Sequence, residues 1–244
     1  MSQEIILYDL PSQAPCRSWS GNVWKTRLAL NFKGVPYKTE WIPYIRLQET
    51  IKSFGVEPHP PGSWSEFSVP TVRFPDGTYV MDSAAIAKEL EYRYPSPSFR
   101  LNPKLEEEAH GAMGKVFMAL AVPLMPYATE VVSLEDLEWF KTDRARRFGM
   151  TVEVAFDKSK DPVPHFVAAK PAFEECSRVL KAHKVDEGPF LLGSQPCYAD
   201  FYFMTTLQMF HQSSKEGFAL IMEYVPSELK NLFEACQKWT IKQD

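Results

Sequence analysis

The 244-residue sequence predicts an α/β domain followed by an all-helical one. Two observations lead there. Over roughly the first 95 residues, short β-branched and aromatic runs alternate with stretches of helical periodicity. After residue 104 that alternation stops, and apolar residues fall at three- and four-residue spacing. A proline-rich seam around Pro95-Ser-Pro97 separates the two regimes, with 96–104 as a linker. The expected domains are 1–96 and 105–244, a length that lets the chain bury a full core.

Glu4–Leu10 (EIILYDL) reads as the first strand. Helix Asn22–Phe32 follows, with Ser20 and Asn22 at its mouth, apolar Trp24, Leu28 and Leu30 inside, and Lys33-Gly34 and Pro36 closing it. Strand Tyr37–Trp41 and a short helix, Leu47–Phe54, come next, and then an irregular stretch rich in Pro and Ser, Glu57–Ser65. Strands Phe67–Phe74 and Thr78–Met81 flank Pro75-Asp76-Gly77 and read as a hairpin, after which helix Ser83–Tyr92 ends before Pro95. In the second region Val116, Leu120, Leu124 and Met125 form one helical face, which Pro123 and Pro126 are expected to end or kink. Val179 and Leu180, then Phe201, Met204, Leu207 and Met209, then Leu229, Leu232, Phe233 and Trp239 mark further helices.

Composition narrows the function. A formal charge of −4 and an isoelectric point near 5.8 argue against nucleic acid as a partner, which needs a concentrated basic face. Arg144, Arg146 and Arg147 do cluster, but among Glu135, Asp136, Glu138 and Asp143, and this reads as a solvated helix face rather than an anion site. No apolar run reaches the ~18 residues of a membrane span. The amino-terminal residues resemble neither a signal peptide nor a lipidation signal. Cys16, Cys176, Cys197 and Cys236 lie far apart, which points to a reduced, cytoplasmic chain. His59, His110, His165, His183 and His211 have no metal-ligand spacing, and no Gly-rich phosphate loop or nucleophile elbow occurs, so no metal and no prosthetic group is expected. The high aromatic content, 14%, fits a well-filled core with some surplus for a pocket that takes flat apolar ligands.

Three sites in the first region carry chemistry. Ser20 and Asn22 open the first helix, where a hydroxyl beside a helix amino end can hold an anion such as a thiolate. Val69-Pro70 stands at a strand entrance; a proline there pairs badly, and with a cis bond the Val69 backbone is left to pair with a peptide-like ligand. Asp82-Ser83 offers a carboxylate for an amine and a helix amino end for a carboxylate, which together would grip an amino-acid headgroup.

In order and spacing these elements resemble the glutathione transferase superfamily across essentially the whole chain. Ser20 through Gly34 matches the family's S-x-x-x-x-K/R-x-R-L-A-L-x-x-K-G, with Lys25 and Arg27 in register. Val69-Pro70-Thr71-Val72 matches V-P-x-V/L, and Asp82-Ser83 matches E/D-S. Gly193 to Asp200 resembles G-x-x-x-S/T-x-A-D, the capping box of a buried helix, with Cys197 in the place of Ser or Thr. The resemblance implies a thioredoxin-like amino-terminal domain, an all-helical carboxy-terminal one, glutathione as co-substrate and a homodimer. Carried over, Ser20 donates to the glutathione sulfur, Val69 pairs with its cysteinyl backbone, and Asp82 and Ser83 hold its γ-glutamyl end.

Some superfamily members use a cysteine for deglutathionylation and reduction. Their cysteine stands fourteen residues before the helix-ending glycine, which here is Ser20, so Cys16 falls four residues early and is the lesser candidate; Ser18 is another. Lys52, ahead of the long Pro-rich stretch before Val69, is a further candidate contact to glutathione. Within the superfamily, Trp19-Ser20-Gly-Asn22-Val-Trp24-Lys25-Thr-Arg27 most resembles the etherase-like branch, the bacterial β-aryl etherases and the fungal-specific A class, with W-S-P-N-T-W-K-T-R. That branch implies an apolar acceptor site for aromatic, often phenolic or lignin-derived, molecules, and Phe117, Leu120, Leu124 and Tyr127 are its expected wall. The same pocket would serve a ligandin, a carrier of aromatic molecules without catalysis.

Overall fold

The computed structural model describes residues 4–243; the outermost residues of both expected domains, 1–3 and 244, lie outside them. The first region folds as β1 (Ile5–Asp9), α1 (Gly21–Lys33), β2 (Tyr37–Trp41), α2 (Tyr44–Ser53), β3 (Thr71–Arg73), β4 (Tyr79–Met81) and α3 (Ser83–Arg93). The four strands form one mixed sheet in the order β2-β1-β3-β4, with β1 parallel to β2 and antiparallel to β3. Register pairs Leu7 with both Thr39 and Val72, and Val72 with Val80. The hairpin turns where Pro75-Asp76-Gly77 predicts, but β3 is confined to three residues. Phe67 and Val69 are buried outside the ladder, so burial rather than strand pairing accounts for their apolar pattern.

An ion pair buried on both sides joins the first three elements. Arg27 of α1 reaches Asp9 of β1 at 2.8 Å, with both side chains inaccessible to solvent. The same guanidinium donates to Thr39 at 3.2 Å and lies 5.9 Å from the Trp24 and Trp41 ring centres. Lys33, at the end of α1, holds Glu91 at 2.5 Å and the carbonyls of Tyr94 and Pro97 at 2.5 and 2.7 Å. The proline-rich seam is thereby tied to the first domain.

The second region contains eight helices among the described residues: α4 (Pro103–Val131), α5 (Leu137–Phe148), α6 (Val152–Lys158), α7 (Val163–Ala168), α8 (Lys170–Ala182), α9 (Tyr198–Ser213), α10 (Lys215–Tyr224) and α11 (Ser227–Cys236). Helix α4 starts inside the stretch read as linker. Asn102 caps it by accepting from the Lys104 and Leu105 amides at 3.1 and 3.3 Å. It also runs through Pro123 and Pro126 instead of ending there. Both prolines are buried, and the missing amide donors cost less than the apolar burial of its 29 residues returns. One 18-residue window of α4 is apolar enough, at mean hydropathy 1.2, to pass for a membrane span, contrary to the sequence expectation. Over half of that window is buried, as in a core helix.

The core is continuous across both regions. Helix α9, almost wholly buried, packs between α1 and α4. Its Asp200 carboxylate accepts from the Cys197 amide and from the Leu191 amide, each at 2.7 Å, so the acidic half of the capping box forms with cysteine at the cap. Past α11 the chain returns to the sheet. Asn31 donates to the Trp239 carbonyl at 2.6 Å, Lys242 donates to the Tyr37 carbonyl at 2.7 Å, and Trp239 packs edge-on to Phe32 and Phe201.

Candidate active site between the two domains

A cavity of about 600 Å³ lies between the domains, and Ser20, Asn22, Val69, Pro70, Asp82, Ser83, Phe117 and Leu124 all line it. Ser20 is the residue before α1, at φ −72° and ψ 119°, and its side chain makes no capping bond. Its half-buried hydroxyl is therefore available at the mouth of a helix whose first amides also have no side-chain partner. Helix α1 comes so close to α9 that a Cβ at Gly21 would sit 2.9 Å from the Thr205 carbonyl oxygen and the Met209 sulfur. Glycine is what that approach tolerates, which explains the absence of proline at this point.

The Val69–Pro70 peptide is cis. Among the described residues the Val69 backbone N–H and C=O make no hydrogen bond, although the side chain is buried. Both groups are open to an extended peptide backbone. Asp82 has φ 83°, in the left-handed region that a non-glycine residue adopts at a cost. One oxygen of its carboxylate accepts from the Ala84 and Ala85 amides at 2.9 and 3.1 Å; the other makes no hydrogen bond among the described residues. Ser83, the first residue of α3, is fixed through its carbonyl, which accepts from the Tyr198 hydroxyl at 2.7 Å.

Lys25 completes this end of the cavity with a role that its place in the motif did not reveal. Its side chain is buried, and its ammonium lies 5.0 Å from the Tyr202 ring centre, with no hydrogen bond or ion pair among the described residues. Burial pushes it down to about 8, and the nearby Asp82 charge opposes that shift. His110 shares the wall; burial first, then the Lys25 charge, pulls it below the usual imidazole value, which favours the neutral ring.

Part of the lining is aromatic. Tyr44 stacks on Trp139 at 4.6 Å, and Trp19 meets Phe140 edge-on at 5.9 Å. Two of the four expected wall residues lie elsewhere. Phe117, Ala121, Leu124 and Ala128 form the cavity stripe of α4, at helical spacing. Leu120 falls off that stripe into the core, and Tyr127 packs on Phe210 and against Gly217 of α10. The Pro-rich stretch supplies the missing side: His59 and Trp64 line the cavity, and Gln48 of α2 holds the loop by bonding both the amide and carbonyl of Phe67, at 3.1 and 2.7 Å.

Arg144 and Arg147 also line the cavity, which corrects their reading as a solvated helix face. Only Arg146 of that cluster is well exposed. Cys16 is exposed and outside the cavity lining, Ser18 is buried with its hydroxyl unpartnered among the described residues, and Lys52 is exposed away from the cavity. Among the described residues no group of three or more His, Cys, Asp or Glu side chains is placed to hold a metal.

The family model for the glutathione S-transferase amino-terminal domain matches residues 19–93, and that for the carboxy-terminal domain matches residues 109–239. The chain belongs to the glutathione S-transferase family. A glutathione S-transferase-like protein of Aspergillus flavus, ustS, is 30% identical over an alignment that covers 95% of this chain and 89% of that protein. A glutathione S-transferase of Ceriporiopsis subvermispora, solved in complex with glutathione, superposes with TM-score 0.82 at 25% identity, covering 99% of both chains. A second from the same organism, also with glutathione, gives 0.83 at 26% identity, covering 97% of this chain and 99% of that one. The glutathione transferase GSTFuA3 of Phanerochaete chrysosporium, at 21% identity, TM-score 0.81 and full coverage of both chains, shares the fold. The architecture described above is thus the glutathione S-transferase fold, and glutathione is the ligand of its family.

Proposed function

We propose that this protein binds glutathione at the Ser20 end of the cavity and transfers its thiolate to a hydrophobic aromatic electrophile at the other. The carrying observation is the continuity of one cavity from an uncommitted hydroxyl at a helix mouth to an aromatic wall. In this reading the Val69 backbone pairs with the cysteinyl backbone, and Ser83 with the α3 amino end takes the γ-glutamyl carboxylate. Asp82 takes the amine, and Lys25 adds a cation beside them.

A free thiol titrates at ~8.5 and is mostly protonated at neutral pH; each unit of depression corresponds to about 1.4 kcal/mol. A donated hydrogen bond from Ser20 and the α1 amino end together supply on the order of one to two units. The thiolate sulfur then bonds to the electrophilic carbon, the leaving group departs with its electron pair, and the thiol proton goes to solvent. A halide leaving group gives conjugation, and an aryloxide gives ether cleavage. The motif around Trp19 to Arg27 favours the etherase-like branch, with aromatic or phenolic acceptors.

Replacing Ser20 with Ala should lower kcat/KM for a chlorodinitrobenzene by about tenfold or more and move the pH midpoint of thiolate formation upward by about one unit. An unchanged rate and an unchanged pH profile would exclude Ser20 as the sulfur's partner. Saturable binding of aromatics without turnover, in the wild type, would instead make the protein a carrier. Family membership supports a homodimer, which sedimentation equilibrium would test.

A further inference from the structure

Resting on that reading, we propose that the acceptor end of the cavity selects aromatic compounds bearing a carboxylate, which Arg147, with Arg144 beside it, receives. The two arginines lie about one turn apart on α5, both line the cavity, and their side chains are 17% and 20% exposed. The buried carboxylate of Asp143 serves both, and Arg146 besides, at 3.0 Å. Three guanidinium groups on one carboxylate leave net positive charge.

Two of the three nearby acids are balanced by other cations, and the third, Asp136, offsets only part of it. Glu135 pairs with Arg46 at 3.7 Å, Glu138 with Lys141 at 3.2 Å, and Asp136 accepts from Ser133 at 2.7 Å and from the Ile45 amide at 3.2 Å. None of the three lines the cavity.

Donors remain for a ligand. Arg144 spends one terminal nitrogen on Asp143 and donates with the other to the Tyr44 hydroxyl at 3.2 Å. Arg147 Nε lies 2.6 Å from Asp143 Oδ2 as an ion pair without hydrogen-bond geometry, and its two Nη atoms have no hydrogen bond or ion pair among the described residues. Both guanidinium groups lie over aromatic rings: Arg147 is 5.2 Å from the Trp64 ring centre and Arg144 4.3 Å from that of Phe140. A guanidinium fork held by an ion pair beside aromatic walls matches a planar carboxylate on a planar ring.

Trp19, Trp64 and Trp139 line the same cavity, so quenching of their fluorescence reports binding without glutathione. Naphthoate and its methyl ester would be titrated into the wild type, Arg147→Met and Arg147→Lys. The wild type should favour naphthoate at least about tenfold, the range of a charge-assisted hydrogen bond. That ratio should approach one in Arg147→Met, persist in part in Arg147→Lys, and narrow with added salt in the wild type. Equal binding of acid and ester by the wild type, or a ratio that survives Arg147→Met, overturns the proposal; the salt series and the lysine variant keep it testable should the methionine variant misfold. Binding of S-methylglutathione, measured in parallel, separates the two readings. Its absence beside an intact naphthoate preference would remove glutathione alone, and its presence without that preference would remove the carboxylate site alone.

Discussion

Burial holds the Lys25 ammonium at about 8, against 10.5 for a solvated lysine. The unfolded chain therefore binds more protons than the folded one between those two values. The residue destabilises the ligand-free fold at neutral pH, and the penalty fades as pH rises from about 8 to 10.5. Ligand binding runs the other way, because an anion beside Lys25 needs the cation. Affinity for S-methylglutathione should fall above about pH 8 in a calorimetric series, and Lys25→Met should flatten that profile and weaken binding at pH 7. The same variant should raise the ligand-free stability at pH 7 by on the order of 1–3 kcal/mol in denaturant titration. A variant less stable and still pH-sensitive in binding would show that Lys25 has a purely structural place. At this scale order and spacing picked out Ser20, Val69, Asp82 and Ser83, which the fold brings to one cavity. Sequence alone hid Arg144 and Arg147, because Glu135 and Glu138, near them in the chain, pair with other cations, and Asp143 is shared by three arginines.

Elements were legible where one face is dry and the ends carry turn chemistry. Strand β2 begins and ends as the sequence predicts, and Gly34 closes α1 with φ 64°, the left-handed cap foreseen from Lys33-Gly34. The prolines of α4 misled because local rules count the lost amide and not the burial across 29 residues. Nor does any local pattern announce that Asp9 and Arg27 meet, although that pair fastens β1 to α1 with no solvent on either side. Asp9→Asn strands a buried guanidinium and should cost about 3–5 kcal/mol in urea unfolding. Replacing both, as Asp9→Leu with Arg27→Met, should cost less than Asp9→Asn alone. A single variant within about 0.5 kcal/mol of wild type would mean that Arg27 finds other partners when the carboxylate is gone.

For the molecule as a whole, the division into an α/β and a helical part was readable from periodicity alone, since helix and strand periods differ so plainly. Their assembly was not, because the cavity draws its walls from the 57–68 loop, α4, α5 and α9, which lie far apart in sequence. The two parts are also bound by the returning chain end, in which Trp239 packs against Phe32 and Phe201. Such continuity predicts one unfolding transition, with tryptophan fluorescence and far-ultraviolet dichroism coinciding. Trp239→Ala should lower stability toward the smaller end of ~3–5 kcal/mol, since the ring is only partly buried. Separate transitions for the two probes, already in the wild type, would mean that the domains melt independently.

The layout of the cavity also bears on descent. In the proposed reading, the residues that grip glutathione come from α1, the Val69 turn and α3, while those that meet the acceptor come mainly from a surface loop, α4 and α5. Mutations can accumulate in the second set, lineage by lineage, without disturbing the first. On that reading, one thiol chemistry can be kept while the acceptor it meets changes.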